Sequence, residues 1–515
     1  IFKAMEDEMA HVCHELATRH NTVPLFVNYV LERKHTSGTE SSGGVCVNKR
    51  KGNVKNSISV HIFLGDSLVT NDTGVEHHPQ NIPDEIGYDR IRDAFRSKSE
   101  IAYQGAVQRL DNKRTHLKQN PKPADNAVVP EFKRMPPAVW IGPSALTIPC
   151  PVTDMEQLYN RLSKVFSDYP ELFNHCVKVY QKRVDYYRLT SEGQKILQPD
   201  TVFHITARAS IKTDGNEVKT EYYRLHVGGI NDLPSEDALI GELHRFAEYM
   251  QQKNRAKAVE DLYIGPVLYE DDAAMELLAE KIADYSHSYW ISIRNQSDRK
   301  HRYLGKQVFP PALSVCQLGN DSVYNGVKLL GYRQVDADGT KPKTLPIIEK
   351  GILKHMLTGR TPSLGCPAST GNEHFDGLSR TLETRYTAGV FRVTSNRPVP
   401  YSKLYKRFLK AAKKAGLEHT YIIRKNRTSP YALIRVDLST GKEELVEGNY
   451  NSPSREQFKR MHAISKEENV YNLDPAGGKG LGIISPKAIL LEDMELDITP
   501  SRARHIDEAF YELRH

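Results

Sequence analysis

Apolar residues recur every three to four positions at the start of the chain, at Phe2, Met5, Met9, Val12 and Leu16, with charges between them. That period gathers them on one stripe of a helix over about the first twenty residues. VPLFVNYVLER (23–33) then predicts a strand. NSISVHIFLGD (56–66) alternates Ile58, Val60, Ile62 and Leu64, the pattern of a half-buried strand. A long helix is expected over 84–118, ending before Pro121. Between 120 and 151, Pro121, Pro123, Pro130, Pro136, Pro137, Pro143, Pro149 and Pro151 fix backbone angles and remove donors, so an extended crossing without regular structure is expected. Thr153 and Glu156 form a capping-box signature ahead of a helix face of Met155, Leu158, Leu162, Val165 and Phe166. Strand-like stretches at 176–190, 199–212 and 217–228 precede a helix over 235–258 that buries Leu239, Leu243, Phe246 and Met250. The second half reads as short strands and glycine-punctuated turns, interrupted by one basic helix over 401–415. No internal repeat of fixed period is visible. These elements predict an α+β fold in two domains: 1–260 with mixed sheet and helices, and 261–515 with mostly antiparallel strands curling around 265–285.

Composition narrows the class. A chain of 515 residues is too long for one simple core, which agrees with two domains. No run of about 18 apolar residues occurs, so no membrane-spanning helix is expected. The 71 basic and 64 acidic side chains are spread along the chain, and a net charge of +7 of that kind serves solubility; a nucleic-acid partner is not implied. Cys13, Cys46, Cys150, Cys176, Cys316 and Cys366 contain no CxxC pair and no close framework. Structural zinc and a disulfide scaffold are therefore not expected, and the cysteines read as small apolar side chains, mostly buried. The chain starts at Ile1, and its compartment stays open between cytoplasm and, behind a removed signal peptide, periplasm.

Four stretches could carry chemistry. HVCHELATRH (11–20) holds His11, Cys13, His14, Glu15 and His20, but His14 and His20 lie about 120° apart around a helix, so a polar helix face is expected. GGKGLG (477–482) is glycine-rich, yet a strand follows rather than a helix, which argues for a tight turn over a phosphate cradle. SKLYKRFLKAAKKAG (402–416) puts Lys403, Lys406, Arg407, Lys410, Lys413 and Lys414 outside an inner stripe of Leu404, Phe408 and Ala411; a solvated face is the default. GPVLYEDDAAMELLAEKIAD (265–284) has the shape of a helix that could present a metal site, but it contains no histidine. Ala274, Leu277, Leu278, Ile282 and Tyr285 make its apolar stripe, while Asp272, Glu276, Glu280 and Asp284 fall four apart on a second stripe, read as a wet acidic side.

Together, GPVLYEDDAAMELLAE (265–280), DADGTKPKTLPIIEKGILKHMLTGR (336–360), STGN (369–372) and PAGGKG (475–480) resemble the TldD/PmbA family, named for peptide maturation and for modulation of DNA gyrase. The likeness is carried by the C-terminal half, and residues 395–425 resemble the longer members. In the TldD branch the corresponding helix carries HExxxH and a late glycine turn carries a cysteine, which the resemblance implies would bind zinc and activate water. Here Ala279 stands at the first histidine position, Asp284 at the second and Gly477 at the cysteine, while Glu280 keeps the place of the catalytic glutamate. Alanine and glycine offer no ligand atom, so no metal or other cofactor is expected, as in the PmbA (TldE) branch. A site could be rebuilt only if His301, His355 or His374 approached Glu280.

The resemblance implies a homodimer, or a pair with a metal-bearing TldD-like chain, enclosing a cavity for unfolded peptides. The leading expectation is a non-catalytic subunit of a peptidase assembly, with no membrane role. The alternatives are a self-sufficient peptidase with a non-standard site near Glu280, Glu276 and Asp284, and a nucleic-acid or gyrase-linked protein using the 402–416 face.

Overall fold

The computed structural model describes residues 1–72, 79–120, 130–149, 155–212, 218–286, 300–362, 365–375, 382, 384–386, 389–429, 431–473 and 480–499. The first half is organised by long antiparallel strands. Helix α1 (Phe2–Arg19) is followed by β1 (Phe26–Ser42), β2 (Val45–Arg50), β3 (Val54–Phe63), β4 (Gln80–Ile82), helix α2 (Tyr88–Gln119), β5 (Ala138–Ile141) and helix α3 (Glu156–Lys164). Next come β6 (Leu172–Thr190), β7 (Gln194–Lys212), β8 (Val218–Val227) and helix α4 (Glu236–Arg255). Helices α1 and α2 cover β1 and β3, with Met5, Met9, Val12, Leu16 and Phe95 buried between the layers. Helices α3 and α4 cover β6–β8 through Leu162, Leu239, Leu243, Phe246 and Met250. The Ser235 hydroxyl accepts from the Ala238 amide and starts α4 where its apolar period begins.

The second half begins with β9 (Lys257–Ala258), β10 (Asp261–Asp271) and helix α5 (Asp272–Ser286). Short strands follow: β11 (Leu313–Gln317), β12 (Val323–Tyr324), β13 (Val327–Lys328), β14 (Leu345–Glu349), β15 (Ile352–Leu353), β16 (Glu373–Phe375), β17 (Thr384–Tyr386) and β18 (Val390–Ser395). Helix α6 (Tyr401–Lys414) leads to β19 (His419–Lys425), β20 (Thr428–Ser429), β21 (Ala432–Asp437) and β22 (Glu443–Glu447). Helix α7 (Arg455–Lys459), β23 (Met461–Ile464), β24 (Glu468–Leu473), β25 (Leu481–Pro486) and β26 (Ala488–Ile498) complete the described chain.

Strands β1–β8 form one nine-stranded sheet with β20, which crosses from the second half to pair with β8. A seven-stranded sheet runs β23-β26-β10-β19-β21-β22-β9, and a six-stranded sheet runs β15-β14-β11-β18-β25-β24. The architecture is α+β, as the patterns predict. Helix α5 is packed among strands through Ala274, Leu277, Leu278, Ile282 and Tyr285, all buried in the largest core. Its own sequence favours a helix: Ala273 to Leu278 are strong helix formers, neither Gly nor Pro interrupts it, and Asp272 sits in the first turn, where the helix dipole favours an anion.

Several elements depart from the sequence patterns. β1 continues nine residues beyond Arg33 through a polar run, because β2 and β6 pair with it there and bury Ser37, Thr39 and Ser41. Inside the proline-rich stretch, Ala138–Ile141 forms a strand parallel to β7, since no proline falls within those four residues. Helix α3 is capped by Met155 without a side-chain bond, and Thr153 lies outside the described residues. Residues 265–271 are strand, and the helix starts only at Asp272. Helix α6 buries Ala412 rather than Ala411, which continues the four-residue spacing of Leu404 and Phe408. Of the described cysteines only Cys176 is buried; Cys13, Cys46, Cys316 and Cys366 are half-exposed. Cys13 and Cys366 nonetheless pack against the margins of hydrophobic cores. No described helix is long and apolar enough to cross a membrane.

Candidate functional site

Strand β10 enters the site through a proline-marked irregularity. Its register against β26 shifts between Gly265 and Val267, so Pro266 makes no ladder contact, and its carbonyl accepts from the Tyr263 hydroxyl (2.7 Å) and the Thr420 hydroxyl (2.8 Å). Beyond it, β10 runs parallel to β19 with Asp271 opposite Lys425. Both strands therefore end at the same edge of the sheet, and α5 departs there without a loop. Asp271 turns the corner at φ +54° and its side chain accepts from Asn469.

The acidic stripe of α5 faces this edge, and its surroundings correct the wet-face expectation. Asp272 Oδ2 accepts from the Arg427 amide at 2.8 Å. Glu276 pairs with Lys425 at 2.6 Å and accepts from the Tyr431 hydroxyl at 2.5 Å, while the Lys425 ammonium also lies 5.0 Å from the centre of the Tyr431 ring. Glu280, one turn on, is exposed, unlike Asp272 and Glu276; its carboxylate is held by Lys281 (2.8 Å) and by the Ser452 hydroxyl (3.1 Å). The stripe is thus countered by cations and phenols from the β19–β21 segment. Two hollows lie along it. One, of about 640 Å3, is bounded by Asp272, Glu276, Lys425 and Arg427, by His226 of β8 and by Tyr471 of β24. The other holds Glu280.

Burial raises the Asp272 carboxyl to about 6, because the charged form loses water that the Arg427 amide only partly replaces. Burial pushes Asp271 upward as well. A carboxyl with a raised native pKa binds its proton more tightly when folded. Its contribution to stability is complete below the unfolded value near 4 and is lost as pH rises through 6. Asp272→Asn keeps an acceptor for the Arg427 amide and cannot ionise. It should match the parent chain at pH 4 and exceed it by about 1–3 kcal/mol at pH 7.5 in urea unfolding; equal stability at both pH values would refute the assignment.

The zinc centre of the TldD branch does not fit the described residues. Ala279 is a half-buried methyl without a donor atom. Gly477 lies outside the described residues, and of Asp284 only the helical backbone is described. No group of three or more His, Cys, Asp or Glu among the described residues is placed to hold a metal ion. His355 points Nδ1 at the Pro346 carbonyl (2.7 Å), His374 is buried in the β16–β17 hairpin, and neither they nor His301 line the hollow that contains Glu280. In α1, His11 approaches Glu15 (3.5 Å), and just beyond its end the ring of His20 lies tilted against Tyr103. The basic residues of α6 are exposed, as a solvated face requires.

The acidic turn DADG serves structure. Asp336 Oδ1 accepts from the Asp338 and Thr340 amides (2.9 Å each) and closes the turn. Asp338 is buried between Arg188 of β6 (3.0 Å) and Arg360 (3.3 Å), and Arg360 also meets Glu192 (2.8 Å). STGN continues this network, with Thr370 bonding Thr358 and Asn372, and Asn372 bonding Gln317. Sequence reading missed Lys425, Arg427, Tyr431 and the edge of β24 as parts of the site. The cluster of charges and aromatics just after β19 was the available signal.

Known proteins share part of the sequence pattern and the fold. Residues 264–398 match the PmbA/TldA metallopeptidase C-terminal domain. No curated protein matches the sequence. A candidate modulator of a DNA gyrase from Thermotoga maritima has the same fold at TM-score 0.60 and 14% identity, covering 96% of this chain and 100% of that one. TldE from Thermococcus kodakarensis aligns at TM-score 0.59 and 11% identity over 96% and 99% of the two chains. A second candidate modulator of DNA gyrase, from Bacteroides thetaiotaomicron, aligns at 0.61 and 12%, again over 96% and 99%.

Proposed function

Because residues 264–398 match the PmbA/TldA C-terminal domain and the chain shares its fold with TldE from Thermococcus kodakarensis, we propose that it is a TldD/PmbA-type, peptide-holding subunit of a peptidase assembly that leaves bond cleavage to another chain. The observation that carries this reading is Ala279 beside the retained Glu280. The helix keeps its place at the strand ends and its glutamate, but the position before that glutamate has no atom to offer a metal. Glu280 itself is engaged by Lys281 and Ser452. A TldD-like partner would supply the metal site; a homodimer would hold peptide without cutting it.

Two strand edges support the peptide-holding half of the reading. β24 ends the six-stranded sheet, and among the described residues the outer edge of β8 is met by the two residues of β20 and by the Arg427 carbonyl. Both border the larger hollow. Unpaired amides and carbonyls on such an edge can add an extended peptide as a further strand, whatever its sequence. The mixed lining of acids and bases suits an uncharged peptide backbone.

The test is reconstitution. The purified chain alone should leave an unfolded peptide intact, and should acquire cleaving activity only when mixed with a TldD-like partner. Glu280→Ala in this chain should leave the turnover of the mixture at saturating peptide within about tenfold of the parent, whatever it does to the peptide concentration required, whereas loss of a general base costs roughly 10²–10⁴-fold in turnover itself. Cleavage by this chain alone, with stoichiometric metal and abolished by Glu280→Ala, would replace the reading with that of a self-sufficient peptidase.

A further inference from the structure

The hollow that contains Glu280 is a small pocket of about 320 Å3, and its wall is unusually rich in phenols. Tyr249 of α4, Tyr269 of β10, Tyr431 and Tyr450 surround it, with Leu277 of α5 among its apolar side chains. Tyr431 and Tyr450 meet edge to face, with ring centres 6.1 Å apart. The charges at the margin are already engaged: Lys253 with Glu221, Glu447 with Lys219, and Glu280 with Lys281. Tyr269 differs. It is 3% exposed, and its hydroxyl has no hydrogen-bond partner among the described residues. A buried phenol without a partner costs free energy that a ligand acceptor would recover.

We infer that this pocket receives one aromatic side chain of the bound peptide, and that it prefers a phenol to a plain ring. The inference rests on the peptide-holding reading above and adds a side-chain preference to it. Aromatic walls and apolar side chains suit a ring. The ligand hydroxyl would accept from Tyr269 and donate to Glu280, whose carboxylate has lone pairs beyond those used by Lys281 and Ser452. A charged side chain fits less well, because no unpaired opposite charge faces the pocket among the described residues. Glu280 thereby acts as a specificity residue, with no role in bond breaking.

The test uses fluorescently labelled peptides, identical except at one central position that carries Tyr, Phe, Leu, Lys or Ala, titrated against the full chain. N-acetyltyrosinamide is titrated in parallel by calorimetry. Tyr should bind about tenfold more tightly than Phe, and Phe more tightly than Ala. Tyr269→Phe should narrow the gap between Tyr and Phe while keeping both above Ala, a pattern that general loss of folding would not produce. Peptide binding without dependence on the varied position, or a Tyr preference undiminished by Tyr269→Phe, overturns the pocket inference and leaves the peptide-holding reading standing. Failure of every peptide to bind, with N-acetyltyrosinamide bound in a Tyr269-dependent way, supports the pocket and overturns the peptide-holding reading. Failure of both ligands overturns both.

Discussion

Asp338→Ala should lower the unfolding free energy by about 3–5 kcal/mol, measured by urea denaturation near pH 7. Asp338 is 2% exposed and lies between two arginines that come from distant parts of the chain, Arg188 on β6 and Arg360 after β15. Arg188 retains Asn28 and Arg360 retains Glu192, so neither guanidinium is left bare by the substitution. Both nevertheless lose their shared counter-charge in a place that water does not reach, and the cost of a half-dismantled buried ion pair exceeds what the intact pair contributes. Because Arg188 belongs to the nine-stranded sheet and Asp338 to the second half, the cluster also joins the two bodies of sheet. A loss under about 1 kcal/mol would mean that water or rearranged side chains replace Asp338, and that the acidic turn is not a clamp.

Gly351→Ala should be comparably costly, roughly 3–5 kcal/mol, while Gly326→Ala should cost only about 1 kcal/mol. The two glycines occupy the same kind of tight hairpin turn: Lys350–Gly351 at φ +48° and +79°, Asn325–Gly326 at φ +47° and +78°. The left-handed backbone therefore penalises alanine similarly at both. Their surroundings separate them. A Cβ on Gly326 would meet nothing within 4 Å, whereas one on Gly351 would collide with the Phe309 carbonyl and approach the Pro310 carbonyl at 2.8 Å. The Gly351 amide also donates to Leu313, and its carbonyl accepts from Val308 and Phe309, so relief of the clash would break the strand contacts around it. Thermal unfolding of the two variants side by side isolates packing from backbone preference. Equal losses would refute the packing account of the IEKG motif.

Much of the secondary structure could be read directly. Helices α1, α4 and α6 announce themselves because one apolar stripe per 3.6 residues has few other uses, and β6–β8 do so by length and alternation. The polar half of β1 and the strand within the proline-rich stretch stayed hidden, since there the partner strand, not the local composition, makes the strand. The same division holds at the site. Asp272, Glu276 and Glu280 were legible as a stripe, and Ala279 as a departure from a metal-binding helix, because spacing along a helix fixes which side chains share a face.

Lys425, Arg427 and Tyr431 lie some 150 residues further on, and nothing local ties them to that stripe; they reach it because β19 runs parallel to β10 in a particular register. A repeat of two or 3.6 residues tells a side chain which way to point, never what it will meet. Spacing in the chain was therefore enough to find the helix and the acidic stripe along it. The partners that turn a wet acidic face into a lined cleft, and the exposed strand edges beside it, came from the order in which distant strands assemble, since each pairing is chosen by the packing of the whole sheet.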